Sequence, residues 1–242
     1  MRICSLFSGG KDSTYALHWA FLKGFQVVCL LTLQPEREDS WMFHRPGVEL
    51  TKLQAKAMDI PLIYTYTSGV KDRELEDLKR GFKKAIDEYH VEGIVTGALL
   101  SDYQRMMISM LCEELGLKTF SPLWRKNQEE YMRALVREGF KFVITSINTF
   151  GLSSDFLGRI ISLQDVEKII ALARKYGFNP AFEGGEAETL VLDAPLFRKS
   201  LKIEGRIRRT GEYSYIFEIT KAELVAKGKA KVEKLVDDSL KA

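Results

Sequence analysis

Apolar and polar positions alternate along the first half of the chain in blocks that predict strands and helices in turn. Short apolar runs at 3–7 and 27–31 are typical of buried strands in a parallel sheet. Between them, apolar residues recur at helical spacing from Tyr15 to Leu22, and Gly24 ends the run. This alternation indicates an α/β fold with a doubly wound parallel sheet, which binds ligands at the carboxyl ends of its strands.

The same pattern continues up to about residue 120. Further short strands are predicted at 62–64, 94–96 and 119–120, and helices around Leu50 to Met58 and from Asp72. A last helix, from Ser101 to Leu115, is expected to bury Met107, Met110 and Leu111.

The pattern changes after residues 122–128, which we interpret as a domain boundary. We therefore predict one domain over residues 1–124 and a smaller α+β domain over residues 125–242. From Glu188 onward strands dominate, and a turn at 210–212 predicts a hairpin. The charged tail from Lys221 is expected to be partly helical.

Composition limits the classes of protein to which the chain can belong. With 45% hydrophobic and 29% charged residues, its 242 residues can form an ample core, and a net charge of +3 does not by itself suggest nucleic acid. The scattered cysteines and histidines fit neither a zinc site nor a redox pair: Cys4, Cys29, Cys112, His18, His44 and His90. The longest apolar run is too short for a bilayer, so we expect a cytoplasmic protein.

The first predicted strand and helix are joined by a loop that reads Ser8-Gly9-Gly10-Lys11-Asp12-Ser13. Its glycines permit a positive φ and a close approach to a ligand, and the helix that follows presents N–H groups and the positive end of its dipole. Lysine and serine add a charge and hydroxyl donors, so the loop predicts a phosphate or pyrophosphate site. An ordinary turn capped by Ser13 is the alternative. The loop is not a Walker A motif, which requires Ser or Thr directly after the lysine, where this chain has Asp12.

A second candidate loop begins at Gly97, at the same edge of the predicted sheet. Ser101 and Gln104 have the spacing of a capping box, which any helix could use. The loop is also placed to close over the ribose and phosphates of a nucleotide, and the two roles are compatible.

The third candidate is the segment from Glu183 to Thr189, which has three glutamates around two glycines. Such a turn could simply expose its carboxylates to water. It could instead form a pocket for a cationic substrate, or supply a carboxylate that deprotonates an amine nucleophile. A polar excursion at 34–47, which carries Trp41, Phe43 and His44, suggests a functional flap.

The order Ser-Gly-Gly-Lys-Asp-Ser near an N-terminus resembles the PP-loop of the ATP pyrophosphatases, which cleave ATP between its α- and β-phosphates. Together with segments 39–44, 97–104 and 183–197, it makes essentially the whole chain resemble the diphthine–ammonia ligase family. One departure is Ala187, where many members carry an aromatic residue.

The resemblance implies an adenine nucleotide alpha hydrolase-like fold and an ATP-dependent amidation. Members of this family use ammonium to amidate diphthine, a modified histidine on elongation factor two, through an acyl-adenylate, and they release AMP and pyrophosphate. ATP and Mg²⁺ are the implied cofactors. Domain 1–124 would then bind the nucleotide and domain 125–242 the substrate.

Residue roles follow from the same resemblance. The implied catalytic residues are Lys11, Asp12 and Glu186, and Asp12 is the candidate magnesium ligand. The implied ATP-binding residues are Ser8, Gly9, Gly10, Lys11, Asp12, Ser13, Gly97, Ser101 and Gln104. The implied substrate-binding residues are His44, Glu183, Gly184, Gly185, Glu186, Glu188 and Thr189. Because diphthine carries a trimethylammonium group, we expect these glutamates to attract it, with an aromatic face from 41–43.

Two other functions remain open on sequence grounds. The first is a tRNA-modifying PP-loop enzyme, such as a thiolase, for which a basic cluster could contact phosphates: Arg198, Lys199, Lys202, Arg206, Arg208 and Arg209. A solvated strand edge explains that cluster equally well, and no cysteine has a reactive setting. The second is a non-catalytic ATP-binding sensor. Nucleic acid and membrane partners are not expected, and a homo-oligomer is left open.

Overall fold

The computed structural model, which describes residues 1–35, 46–67, 71–100 and 102–235, divides the chain into two compact units. Unit 1 is Met1–Arg125 and unit 2 is Lys126–Ala242. Each unit has its own five-stranded sheet. Within the described ranges, no helix combines the length and the apolar character that crossing a membrane requires.

Unit 1 alternates strands with helices. Its strands are β1 (Arg2–Leu6), β2 (Gln26–Pro35), β3 (Leu62–Thr67), β4 (Gly93–Val95) and β5 (Lys118–Phe120). Its helices are α1 (Lys11–Leu22), α2 (Pro46–Met58), α3 (Lys71–Tyr89) and α4 (Asp102–Glu114).

All pairings in this first sheet are parallel, and the strand order is β3-β2-β1-β4-β5. Successive side chains of β1 point to opposite faces of the sheet, because side chains alternate along a strand. Ile3 packs with Ala16 and Ala20 of α1, whereas Cys4 packs in a cluster with Phe82 of α3 and Leu111 of α4. Helices therefore cover both faces, which confirms the predicted α/β fold.

The strand order reverses between β1 and β4, which are neighbours in the sheet although five elements separate them from each other along the chain. The chain leaves β1 toward β2 and β3 on one side, and β4 and β5 lie on the other. In open parallel sheets ligands bind where this reversal occurs, outside the carboxyl ends of the strands. The loops that follow β1 and β4 meet at this point.

Unit 2 is an α+β arrangement. Its helices are α5 (Gln128–Arg137) and α6 (Leu163–Tyr176), with a short 3-10 turn at Ser154–Phe156. Its strands are β6 (Lys141–Asn148), β7 (Ala187–Asp193), β8 (Lys199–Arg209), β9 (Ser214–Ala226) and β10 (Lys231–Lys234). The sheet order is β10-β8-β9-β6-β7, and its pairings are antiparallel except between β10 and β8. The predicted hairpin is confirmed by the β8–β9 pairing.

Two expectations from the sequence were wrong. Met110 is 59% exposed, because the buried face of α4 is formed by Ile108, Leu111 and Cys112. The tail from Lys221 is not helical within the described residues: β9 continues to Ala226 and β10 follows. Gly228, at φ +81°, makes the turn between them, and pairing with β8 on both sides satisfies the backbone better than an exposed charged helix would.

Candidate active site

The loop from Ser8 to Ser13 makes a sharp turn from the end of β1 into α1. Gly9 has φ +81°, a conformation that suits glycine, and Gly10 is the N-cap residue of α1 in an extended conformation. The helix begins at Lys11, so Ser13 lies inside its first turn and is not the capping residue that the ordinary-turn alternative requires.

Serine hydroxyls hold this loop closed. The Ser13 Oγ accepts a hydrogen bond from the Ser8 backbone N–H at 3.2 Å and lies 3.1 Å from the Ser8 Oγ. Ser13 and Thr14 also donate to the Gly10 carbonyl oxygen, at 3.2 and 2.8 Å. These bonds fix the backbone of the loop before any ligand binds, which reduces the entropy that ligand binding would otherwise cost.

Gln54 of α2 is a positioning residue that the sequence interpretation missed. Its side chain is fully buried, and its Nε2 donates a 2.9 Å hydrogen bond to the Gly9 carbonyl oxygen. A methyl group added at Gly9 would lie 2.3 Å from the Gln54 Oε1. The only signal in the sequence is a glutamine among the apolar positions of α2, which does not reveal its partner.

The second loop lies against the first, and Gly97 makes this possible. A Cβ atom at Gly97 would lie 2.6 Å from the backbone carbonyl carbon of Asp12 and 2.7 Å from the backbone nitrogen of Ser13. Only a residue without a side chain permits this approach. Ser101 is outside the described residues, and so is the side chain of Gln104, whose backbone belongs to α4.

The charged residues of the loop form an ion pair. The Lys11 Nζ donates to both carboxylate oxygens of Asp12, at 3.0 and 2.8 Å. Lys11 is 2% exposed, and the Asp12 side chain is 26% exposed. Asp12 therefore fixes the position of the ammonium group and still reaches the open side of the loop.

The carboxylates and other potential ligands near the loop limit how a metal ion could be held. Within the described residues, no group of three His, Cys, Asp or Glu side chains is close enough to hold a metal ion. One partly exposed carboxylate beside a phosphate loop is nonetheless a common arrangement for Mg²⁺, which usually takes one or two protein carboxylates and completes its shell with phosphate oxygens and water. Asp12 fits that limited role.

In unit 2 the turn before β7 is held by Glu186. Its carboxylate accepts hydrogen bonds from the backbone N–H of Asn179 at 2.9 Å and of Gly184 at 2.7 Å, and its carbonyl oxygen accepts one from Asn148 at 2.7 Å. Gly185 completes the turn at φ +82°. Glu186 thus ties the end of β6 and the segment after α6 to the turn.

Glu188 lies on β7, at the edge of the sheet, opposite Ser146 of β6. Its side chain reaches solvent, yet the surrounding protein displaces enough water to raise the pKa of Glu188 from an ordinary 4.5 to about 7. The Ser146 hydroxyl opposes this increase, although its buried Oγ makes no direct hydrogen bond within the described part of the chain. The β6–β7 register shifts here, between Ile144 and Ser146, which is typical of a bulge that redirects a side chain.

The other predicted substrate residues are distributed as follows. Glu183 and Thr189 are half-buried at the two ends of the turn, and Gly184 lies where a Cβ would approach the Glu186 carboxylate to 2.7 Å. His44 and the aromatic residues of the flap lie outside the described residues.

Members of the basic cluster on β8 are engaged with carboxylates and carbonyl groups. Lys202 lies 3.1 Å from Glu233, and Arg206 lies 2.8 Å from Glu218. The Arg209 guanidinium donates to the Gly211 and Glu212 carbonyl oxygens. Because neighbouring strands and the β8–β9 turn supply these partners, the cluster gives little support to a phosphate-binding surface for RNA.

Comparisons with known proteins match each of the two units to a domain of one family. Residues 1–119 match a family model for the diphthamide synthase N-terminal domain, and residues 127–225 match one for its C-terminal domain. The human protein named diphthine–ammonia ligase is 34% identical over 226 residues, covering 84% of this chain and 83% of its own length. This chain belongs to the diphthine–ammonia ligase family.

Other members of the family match at similar levels. The mouse diphthine–ammonia ligase is 34% identical over 227 residues, with 84% of this chain and 83% of that protein covered. The Schizosaccharomyces pombe diphthine–ammonia ligase is also 34% identical, but only 39% of its length is covered. A crystal structure described as a predicted subunit of a tRNA methyltransferase from Methanocaldococcus jannaschii aligns over 81% of this chain and 98% of its own, at a TM-score of 0.40 and 16% identity.

Proposed function

We propose that this ligase amidates diphthine on elongation factor two with ammonium, consuming ATP and releasing AMP and pyrophosphate. The observation that carries the proposal is the prebuilt loop from Ser8 to Ser13, braced by Gln54 and by Gly97 at the strand-order reversal of the sheet. Such a loop suits an anion with several oxygens, and its place in this family makes ATP the natural ligand.

Unit 1 would bind and polarise ATP. The backbone N–H groups at Gly9 and Gly10, the Ser8 and Ser13 hydroxyls and the Lys11 ammonium are the donors for the departing pyrophosphate. They act by stabilising the negative charge that develops on the leaving pyrophosphate in the transition state. The fixed geometry of these donors therefore matters more than their number. Asp12 orients Lys11 and is the residue that would hold Mg²⁺, which supplies further positive charge to the phosphates.

The second loop of unit 1 would complete the nucleotide site. We assign Gly97, Ser101 and Gln104 to the ribose and phosphate side of ATP. The contact between Gly97 and the backbone of Asp12 and Ser13 supports this assignment, because it keeps the two loops in one rigid arrangement.

Unit 2 would recognise the modified histidine and ammonium. We assign to substrate binding the unit 2 residues Glu183, Gly184, Gly185, Glu186, Glu188 and Thr189. His44, which belongs to unit 1, is assigned to the substrate as well. Glu186 acts by holding the turn, since both of its carboxylate oxygens accept backbone hydrogen bonds. Glu188 has the pKa that suits a proton acceptor near neutral pH.

The reaction then needs no covalent attachment to the protein. The substrate carboxylate attacks the α-phosphorus of ATP, and pyrophosphate leaves with the electron pair of the broken bond. Ammonium gives one proton to Glu188, and the ammonia formed attacks the activated carbonyl carbon. The C–N bond forms, the C–O bond to AMP breaks, and the nitrogen releases a further proton to solvent. We place this chemistry in the cytoplasm, where thiols such as the three free cysteines remain reduced.

The decisive experiment incubates the protein with ATP, ammonium and diphthine-bearing elongation factor two, and measures amide, AMP and pyrophosphate. We expect one AMP and one pyrophosphate for each amide formed. The Lys11→Met variant should lose about 100-fold or more in rate, as is typical when one preorganised donor is removed. ATP binding without pyrophosphate release would favour a sensor, and ADP as product would contradict cleavage at the α-phosphate.

A further inference from the structure

Three exposed aromatic side chains meet on unit 2. The Phe150 ring centroid lies 5.1 Å from that of Tyr176 and 5.1 Å from that of Tyr213, and both neighbouring rings stand edge-on to it, at 81° and 80°. Phe150 is 57% exposed, Tyr213 46% and Tyr176 38%. We call Phe150, Tyr176 and Tyr213 the aromatic cluster. Large exposed aromatic groups of this kind mark binding sites more often than they contribute to stability.

The backbone is shaped to build this cluster. Gly151 has φ +91°, and a Cβ atom there would lie 2.4 Å from the Tyr176 ring. The chain can therefore turn directly beneath that ring and present Phe150 beside it. A surface that needs both a left-handed glycine and a close approach of backbone to ring is specified by the sequence, since any side chain at 151 would disrupt it.

The aromatic cluster lies beside the glutamate-rich turn. Asn148, two residues before Phe150, donates its N–H to the Glu186 carbonyl oxygen. Asn179, three residues after Tyr176, donates to the Glu186 carboxylate. Tyr213 comes directly before Ser214, which pairs with Asn148 in the sheet. The segments that carry Phe150 and Tyr176 are thus hydrogen-bonded to Glu186, and the segment of Tyr213 pairs with Asn148, which is one of the two donors.

Electrostatics favour a cation at this place. The Lys175 Nζ already lies 4.9 Å from the centroid of the Tyr176 ring, so one ring of the cluster binds a cation within the chain itself. Glu212 is next to Tyr213 and hydrogen-bonds it, which raises the pKa of that phenol. Aromatic faces near carboxylates attract a cation that has no N–H to donate, whereas ordinary ammonium groups are bound chiefly through hydrogen bonds.

We infer that the aromatic cluster is the subsite for the quaternary ammonium group of the substrate side chain. This inference rests on the proposed function for its natural ligand. It adds an aromatic face that unit 2 builds on its own, whereas the face expected from 41–43 lies outside the described residues.

The first test measures binding without catalysis. Choline is titrated into the full-length protein while the aromatic ring protons of the Phe and Tyr residues are followed by NMR, and 3,3-dimethyl-1-butanol serves as its uncharged isostere. We expect choline to shift the ring protons of Phe150 and Tyr213, and the isostere to shift them far less. Equal shifts from the two compounds, or no shift from choline, would overturn the inference, whether or not the protein amidates anything.

The second test measures the natural reaction. Phe150→Leu combined with Tyr213→Leu keeps apolar bulk at exposed positions but removes the π faces. We expect the KM for diphthine-bearing elongation factor two to rise about 5- to 30-fold, the range for losing partly desolvated cation–π contacts, with the KM for ATP unchanged. The control is Phe21→Leu, an equally exposed ring in unit 1, at 55%.

The two proposals fail differently. An unchanged KM for the factor in the double variant rejects the aromatic subsite and leaves the amidation intact. A wild-type protein that forms no amide rejects the proposed function, while the choline titration still decides whether the aromatic cluster binds a quaternary ammonium. Lys175→Met adds an independent check, because removing the competing internal cation should strengthen choline binding, and weaker binding would contradict the site.

Discussion

Gly97 shows how a single missing side chain can align two loops. In Gly97→Ala the new methyl group would lie within 2.8 Å of three backbone atoms of Asp12 and Ser13, none of which can rotate away. We expect the free energy of unfolding to fall by about 1–3 kcal/mol, as for other overpacked sites, and the KM for ATP to rise. Urea denaturation and steady-state kinetics measure the two effects.

Gly116→Ala is the matched control for that change. Gly116 has φ +69° and open space around its Cβ position, so alanine there costs only backbone strain, about 1 kcal/mol. Its KM for ATP should stay at the wild-type value. If both variants changed ATP binding equally, the close contact between the loops would have no part in the nucleotide site.

Glu188 gives a prediction about pH. Its pKa is raised from 4.5 to about 7 in the folded protein, so between these values the folded state binds more protons than the unfolded state. This contribution to stability is therefore complete below about pH 4.5 and is lost as the pH rises through 7. Glutamine does not titrate, so Glu188→Gln abolishes this pH-dependent loss, and the stability of the variant relative to wild type should rise between pH 5 and pH 8. Thermal melts across that range measure the gain; parallel curves would refute it.

Residue-level roles were the hardest to predict from sequence. The three glutamates at 183–188 look equivalent in the chain, but Glu186 and Glu188 differ because backbone amides from 179 and 184 reach only Glu186. Gln54 is similar, since its partner Gly9 lies 45 positions away. Such roles come from tertiary contacts, which local patterns do not encode.

At the scale of elements, α6 is a helix whose ends are both fixed by short-range chemistry. The Ser162 Oγ accepts from the Asp165 N–H at 3.2 Å, and the Asp165 carboxylate accepts from the Ser162 N–H at 2.9 Å. Ser162→Ala should lower the free energy of unfolding by about 1 kcal/mol. Ser162→Asn, which retains a capping oxygen, should restore most of it. An equal loss in both variants, measured in urea, would mean that the cap does not stabilise the helix.

Elements with a strong period or a specific terminal residue were predictable. In α6 the apolar residues Val166, Ile169, Ile170 and Ala173 recur at helical spacing, and Gly177 ends the helix at φ +81°. Elements that form only by pairing with a strand far away in the sequence were not predictable. The charged sequence of β10 has a weak local preference, and its conformation is set by pairing with β8, some thirty residues earlier, which no window along the chain contains.

At the scale of the molecule, the α/β class and the position of the loop from Ser8 to Ser13 were predictable because both follow from order along the chain. A strand, a Gly-Gly turn and a helix at the N-terminus fix where the loop lies in a parallel sheet. The strand order itself follows from how β4 joins β1 on the side away from β2, which depends on packing of both faces at once.

The cysteines of the whole chain lead to a prediction about which nitrogen donor the ligase accepts. An enzyme that draws ammonia from glutamine needs an accessible nucleophile, usually a cysteine thiolate. All three cysteines of this chain are fully buried thiols. A hydrogen bond with Cys29, together with burial and the nearby Cys29 and Cys112 thiols, raises the pKa of Cys4 well above its usual value. We therefore expect ¹⁵N from ammonium to enter the product amide and ¹⁵N from the glutamine side chain not to do so. Iodoacetamide, as a control on access, should label the unfolded protein and spare the native one. Transfer of the glutamine label at a comparable rate would require a nucleophile other than these thiols, and would contradict free ammonium as the substrate.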